Sequence, residues 1–271
     1  MSEKELDGLF GRIIDVHTHV QDELSGPRAE ALSRMVRLAE HAGIGRMVLL
    51  GNLGGLTSDP TPPPQLVADV NSNTLRAIAE QPDLFIGFCY LNPAHPASFL
   101  REETERCIVA GGMRGIKLWI AVKATDPQLD PVMERARELR VPVLHHAWYK
   151  ATAEVANEST PAEVASLARR FPAVTVIMAH LGGGRERGVL DVADCANLLV
   201  DTSGSQPEAG LVEYAVRRLG PQRVIFGSDW PIRDFAAQVG RVLGARLTPE
   251  ERELVFRGNA ERLLALAGED R

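Results

Sequence analysis

Eight short apolar runs, spread from one end of the chain to the other, restrict this sequence to few folds. They fall at residues 12–16, 46–50, 84–90, 113–119, 141–145, 174–179, 197–201 and 223–227. Each is too short for a helix and rich in Val, Ile, Leu or Phe, the pattern of strands buried on both faces. Between them lie stretches of helical periodicity at 27–42, 64–81, 98–110, 129–140, 161–170, 208–219 and 234–243, with a weaker one at 188–196. Thr160 before Pro161 reads as an N-cap followed by proline at the first helical position. Strands alternating with helices imply a parallel sheet. Eight such units close most economically into a barrel. The 271 residues suit an α/β chain folded as a (β/α)8 TIM barrel, which takes about 250. The expectation is one domain over residues 1–271, with a barrel core over about 12–245 and two extra C-terminal helices within 248–267. An open doubly wound sheet would call for a glycine-rich phosphate loop after the first strand, where the chain has His17-Thr18-His19 instead.

Composition narrows the partners. The formal net charge is -6 and no dense Lys/Arg block occurs, which argues against nucleic acid or an anionic membrane. No apolar run approaches the ~18 residues of a spanning helix, and residues 1–7 are polar. Cys89, Cys107 and Cys195 are widely spaced and form no CxxC pair. They read as thiols in a reducing compartment, so a cytoplasmic location is expected.

Chemistry concentrates at the strand ends. Five of the seven histidines fall there, and in a parallel barrel the C-terminal ends of the strands form the active face. His17 and His19 follow the first strand. At i and i+2 of an extended segment they point the same way and can grasp one metal ion, or they can be a pair of satisfied polar residues. His145 and His146 end the fifth strand, and alternation sends only one of them into the barrel mouth. His180 ends the sixth strand. Gly182, Gly183 and Gly184 follow it, and either open space for a substrate anion or form a turn. Asp229 follows the eighth strand. A carboxylate there costs desolvation unless a cation or hydrogen bonds offset it, and a helix N-cap is the plainer alternative.

The order of these features resembles the amidohydrolase superfamily, closest to the amidohydrolase-2 branch. That branch holds metal-dependent hydrolases and non-oxidative decarboxylases related to aminocarboxymuconate semialdehyde decarboxylase. The matching stretches are IIDVHTH, GIKLW, PVLHHAW, VIMAHLGGG, FGSDWP and GNAERLL. The resemblance implies that His17, His19, His146 and Asp229 bind one divalent metal, Zn first, with Mn, Fe, Ni or Co as alternatives. His146 is preferred over His145 because the family's histidine falls four residues after the strand-5 proline, here Pro142. It makes Asp229 and His180 catalytic, His180 by orienting or protonating substrate or water. Lys117 is a site lysine, and a second metal would join only if it were carboxylated.

Weaker candidates surround that set. Glu158, Trp148 and Arg185 are expected to bind substrate or support the ligands. Trp119 and Trp230 are expected near the pocket wall, and Asp201 to Ser205 to offer hydroxyls. Residues 21–26 and 52–64 are the expected lids. The expected activity is metal-dependent hydrolysis of a small amide, lactone or ester through activated water, with Asp229 taking its proton. The alternative is decarboxylation of a small aromatic or dienoic acid at the same site. The implied partner is a small-molecule substrate. A homodimer agrees with the resemblance, since similar family members often form dimers.

Overall fold

The computed structural model describes residues 8, 11–20, 28–51, 61–150, 155–204 and 208–266. Eight strands pair in chain order, each parallel to the next. They are β1 (Ile13–Thr18), β2 (Ile44–Leu49), β3 (Phe85–Tyr90), β4 (Gly115–Leu118), β5 (Val143–His146), β6 (Val176–Ala179), β7 (Leu198–Asp201) and β8 (Val224–Ile225). The first and last strands also meet. The Val16 N–H donates to Phe226 O (3.0 Å), the Asp229 N–H to His17 O (2.8 Å) and the His19 N–H to Trp230 O (2.7 Å). These bonds close the sheet, as the expected (β/α)8 barrel requires.

Strand alternation divides the core. Ile14, Val16, Val48, Ile86, Leu144, Ile177 and Ile225 pack together inside the barrel. Ile13, Met47, Phe85, Ile116, Val143 and Met178 pack outward against the helices. Every strand is buried on both faces, which is why its sequence reads as a continuous apolar run rather than as an alternation.

The helices are α1 (Arg28–His41), α2 (Pro64–Glu80), α3 (Ala97–Thr104), α4 (Asp130–Leu139), α5 (Pro161–Arg170), α6 (Leu181–Asp191), α7 (Leu211–Leu219), α8 (Phe235–Leu243), α9 (Pro249–Glu253) and α10 (Asn259–Leu264). Thr160 caps α5 through a capping box with Glu163, as its sequence suggests. The expected helix over 98–110 ends as a wider π turn, Glu105–Ala110. The weak helix expected at 188–196 is instead α6, which starts seven residues earlier at Leu181 and takes in all three glycines. Those glycines hide the helix from a propensity reading, because each is a poor helix former kept for close approach.

The tail fixes the barrel's lower end. Asn259 donates to Pro221 O and Val224 O, both at 2.7 Å, and Ala260 and Leu264 join the inner core. The three cysteines are free and buried. None of the described helices is long and apolar enough to cross a membrane. The expected lids fall largely on residues 21–27 and 52–60, outside the described residues.

Candidate active site

Three backbone devices bring distant side chains to one mouth. In β1, Asp15 pairs with Met47 and Thr18 with Leu49, so three steps answer two. Such a bulge re-aims side chains, and His17 and His19 both line the cavity. In β5 simple alternation suffices: Leu144 faces the inner core, and His146, two residues on, enters the mouth. His180 follows β6 with φ 79° and Asp229 follows β8 with φ 67°. Left-handed backbone costs a non-glycine residue about 1–2 kcal/mol and is held by surrounding structure, often at functional sites.

Hydrogen bonds fix the ring tautomers. His17 Nδ1 lies 2.7 Å from Asp201 Oδ2. A carboxylate only accepts, so Nδ1 carries the proton and Nε2 keeps its lone pair. His17 Nε2 is buried without a hydrogen-bond partner, 3.4 Å from Asp229 Oδ1. His19 Nδ1 donates to Gly51 O (3.2 Å), leaving its Nε2 lone pair 3.7 Å from the same carboxylate oxygen. Two imidazole lone pairs and one carboxyl oxygen therefore converge, an arrangement that a divalent cation fits.

A second lone-pair contact lies beside it. Ser203 Oγ donates to Asp201 Oδ1, which also accepts the backbone N–H groups of Ser203 and His180. Ser203 has one proton, so His180 Nδ1, at 2.7 Å, must donate to Ser203 Oγ. His146 Nε2 donates to Glu158 Oε1 (2.8 Å). His146 Nδ1 and His180 Nε2 then face each other at 3.0 Å with a lone pair each. Among the described residues, donor atoms within 4.8 Å of one another occur in His17, His19 and Asp229, and in His17, His180 and Asp201. His146 stands outside both groups, and its Nδ1 is the nitrogen left for an ion.

Burial sets the charges. It pushes His17, His19 and His180 well below the ordinary imidazole range, reinforced at His17 by Lys117 and then His146, and at His19 and His180 first by the His17 ring. Burial also lowers His146, against the pull of Glu158. These rings are neutral and ready to bind an ion. Burial pushes Asp229 up to about 7, although Lys117 opposes it. Lys117 itself is lowered to about 8 by burial, opposed by Asp229 and Asp201. Asp15 rises to about 7 by burial, while its Oδ1 accepts the His17 and Ser228 N–H groups, both at 3.0 Å, and ties β1 to β8.

The cavity measures about 470 Å³, within the range of small-molecule sites. His17, His19, Lys117, His180 and Asp229 line it, and so do His146, Glu158 and Trp148. Arg185 does not line it: its guanidinium is half exposed and pairs with Glu208 at 3.0 Å, because φ 54° at Arg185 breaks the helix there. Trp119 is in the wall, whereas Trp230 stacks on Phe235 at 4.5 Å, outside the cavity lining. His145 is buried away from the mouth, with Nδ1 donating to His146 O. The glycines after His180 form no open anion nest. Gly183 and Gly184 N–H groups bond to His180 O and Gly182 N–H to Ser203 O. A Cβ at Gly183 would lie 2.7 Å from the Trp148 ring. Tyr90, Lys150 and Arg233 also line the cavity but were not singled out from sequence, and no local motif marks them. The stretch Asp201 to Ser205, expected to offer hydroxyls to substrate, instead holds the His17 and His180 rings through Asp201 and Ser203.

A family model described as amidohydrolase matches residues 14–266. The chain belongs to the amidohydrolase-2 family. No curated protein sequence matches this amidohydrolase. Among solved structures, it resembles 2,6-dihydroxybenzoate decarboxylase from Rhizobium at 19% identity and TM-score 0.74, covering 95% of this chain and 99% of that one. It resembles 5-carboxyvanillate decarboxylase from Sphingomonas paucimobilis at 17% identity and TM-score 0.74, covering 94% and 99%. A dihydroxybenzoic acid decarboxylase from Polaromonas sp., solved with manganese and 2-nitroresorcinol, is 19% identical with TM-score 0.71, covering 94% and 97%. At these identities the likeness is one of fold.

Proposed function

We propose that this amidohydrolase-2 enzyme is a non-oxidative decarboxylase of a small aromatic carboxylic acid, working with one divalent ion. One observation carries the reading: a single cavity joins a floor of lone-pair donors to a wall built from Trp119, Trp148, Tyr90, Leu50 and Ile120. Such a wall suits a flat ring, and the floor suits the oxygens of its carboxylate. The three solved structures of like fold named above act on aromatic acids, which supports this order of readings over the hydrolytic one expected from sequence. The manganese in one of them favours Mn over Zn.

His17 Nε2, His19 Nε2, Asp229 Oδ1 and His146 Nδ1 would hold the ion. When bound, it supplies Lewis-acid charge for substrate oxygens. The protein's own groups do the rest. Trp119 and Trp148 offer faces on which a ring stacks, and Lys117 offers positive charge at the floor. Asp229, whose carboxyl lines the cavity, gives a proton to the ring carbon that bears the carboxylate. The bond to the carboxylate then breaks, its electron pair restores the ring, CO2 leaves, and Asp229 regains a proton from water. His180, anchored through Nδ1 to Ser203, is fixed to orient the substrate.

The test is CO2 release from a panel of carboxyl-labelled hydroxybenzoic acids by manganese-loaded protein. Labelled CO2 is expected, with none from chelated protein or from Asp229→Asn. Turnover of amides, lactones or esters, with no CO2 from any acid, would replace this reading by hydrolysis. The family's description and the Asp229 carboxylate keep hydrolysis the second reading.

A further inference from the structure

Arg233 lines the cavity, four residues after Asp229. Its N–H donates to Asp229 O (3.1 Å), so one tight turn carries both side chains. Lys150 Nζ pairs with Glu158 Oε2 at 3.2 Å. Asp229 attracts both Lys117 and Arg233 across the site. Arg233 makes no ion pair among the described residues. Its Nη1 donates to Ile232 O (2.7 Å), while its Nε is buried with no acceptor among the described residues. Leaving a buried guanidinium N–H unmet costs free energy that a bound anion would recover.

We infer that Arg233 is a specificity residue that grips a second anionic substituent of the substrate, one that stays on the ring through the reaction. This rests on the decarboxylase reading. The choice of a second group follows from energetics. A guanidinium locked on the departing carboxylate would stabilise the ground state and slow loss of CO2, whereas a grip on a permanent group serves both states equally. The position agrees: Arg233 adjoins Ile232, 45% exposed at the mouth, while His17, His19 and Lys117 occupy the buried floor. The substrate class is then an aromatic acid with a further carboxylate or comparably acidic group.

Calorimetric binding of isophthalate and benzoate to manganese-loaded protein tests this apart from turnover. Isophthalate is expected to bind at least about tenfold more tightly than benzoate, as one charge-assisted bond implies. Arg233→Gln should bring the ratio to about one, and Arg233→Lys should restore part of it. Circular dichroism on both variants checks the fold. Equal binding by wild-type protein, or a preference that survives in Arg233→Gln, overturns the inference; so does failure of both acids to bind. An Arg233-dependent preference without CO2 release from any acid would overturn the decarboxylase reading alone.

Discussion

The His17 ring, on the first strand of the barrel, is held by Asp201 on the seventh through a 2.7 Å bond from Nδ1 to Oδ2. The bond aims the other nitrogen of the ring at Asp229. Such a carboxylate behind a ligating histidine typically contributes 10- to 100-fold to metal affinity. Asp201→Asn is therefore expected to weaken manganese binding by about that factor while leaving the fold intact. Titration of metal-free protein against a competing chelator measures it, and unchanged affinity would mean that the tautomer is set by other groups.

Gly183 and Trp148 form a second dependent pair. A methyl group at Gly183 would collide with the Trp148 ring, and overpacking of this kind costs about 1–3 kcal/mol. The ring also borders His146 and His180, at centroid distances of 6.3 and 5.3 Å. Gly183→Ala should displace Trp148 into the cavity, lower kcat/KM by tenfold or more, and shift tryptophan fluorescence. Full activity with an unshifted spectrum would show that the wall tolerates the change.

Acid should destabilise the metal-free protein. Burial holds His17, His19, His145, His146 and His180 below the ordinary value of 6.5. Below pH 6.5 the unfolded chain binds protons that the folded chain refuses, so stability is lost as pH falls. Asp15 and Asp229 run the other way. Their carboxyls rise from 3.8 to about 7, so the folded chain keeps protons that the unfolded chain has released, and stability falls as pH rises through that window. The five imidazoles outweigh the two carboxyls at low pH. The Tm of chelated protein should drop from pH 7 to pH 5, and Asp15→Asn should gain on wild type from pH 5 to pH 8. A flat Tm profile, or an Asp15→Asn difference that ignores pH, would contradict these assignments.

Much of this architecture is legible in the chain itself. The strands show because Val, Ile, Leu and Phe fill both faces, and His17, His19, His146, His180 and Asp229 show because each lies at or just past the C-terminal end of a strand. Other features are not local. The bulge in β1 and the left-handed backbone at His180 and Asp229 depend on pairing between strands far apart in sequence. The bond of His146 to Glu158 needs a loop to fold back over β5. Arg185 looked like an anion partner because it follows three glycines, yet a break in the helix at Arg185 accompanies its pairing with Glu208. Arg233 carries no motif, and its buried Nε, without an acceptor among the described residues, shows only in three dimensions.

Metal content measures the core of the account most directly. Elemental analysis of protein loaded with manganese and desalted should give one ion per chain, with loss of that ion in Asp229→Asn and in a His17→Ala, His19→Ala double variant. Lys117→Ala should keep it. Two ions per chain, both lost in Lys117→Ala, would contradict the single-ion site, and no retained ion in the wild-type chain would contradict the site altogether.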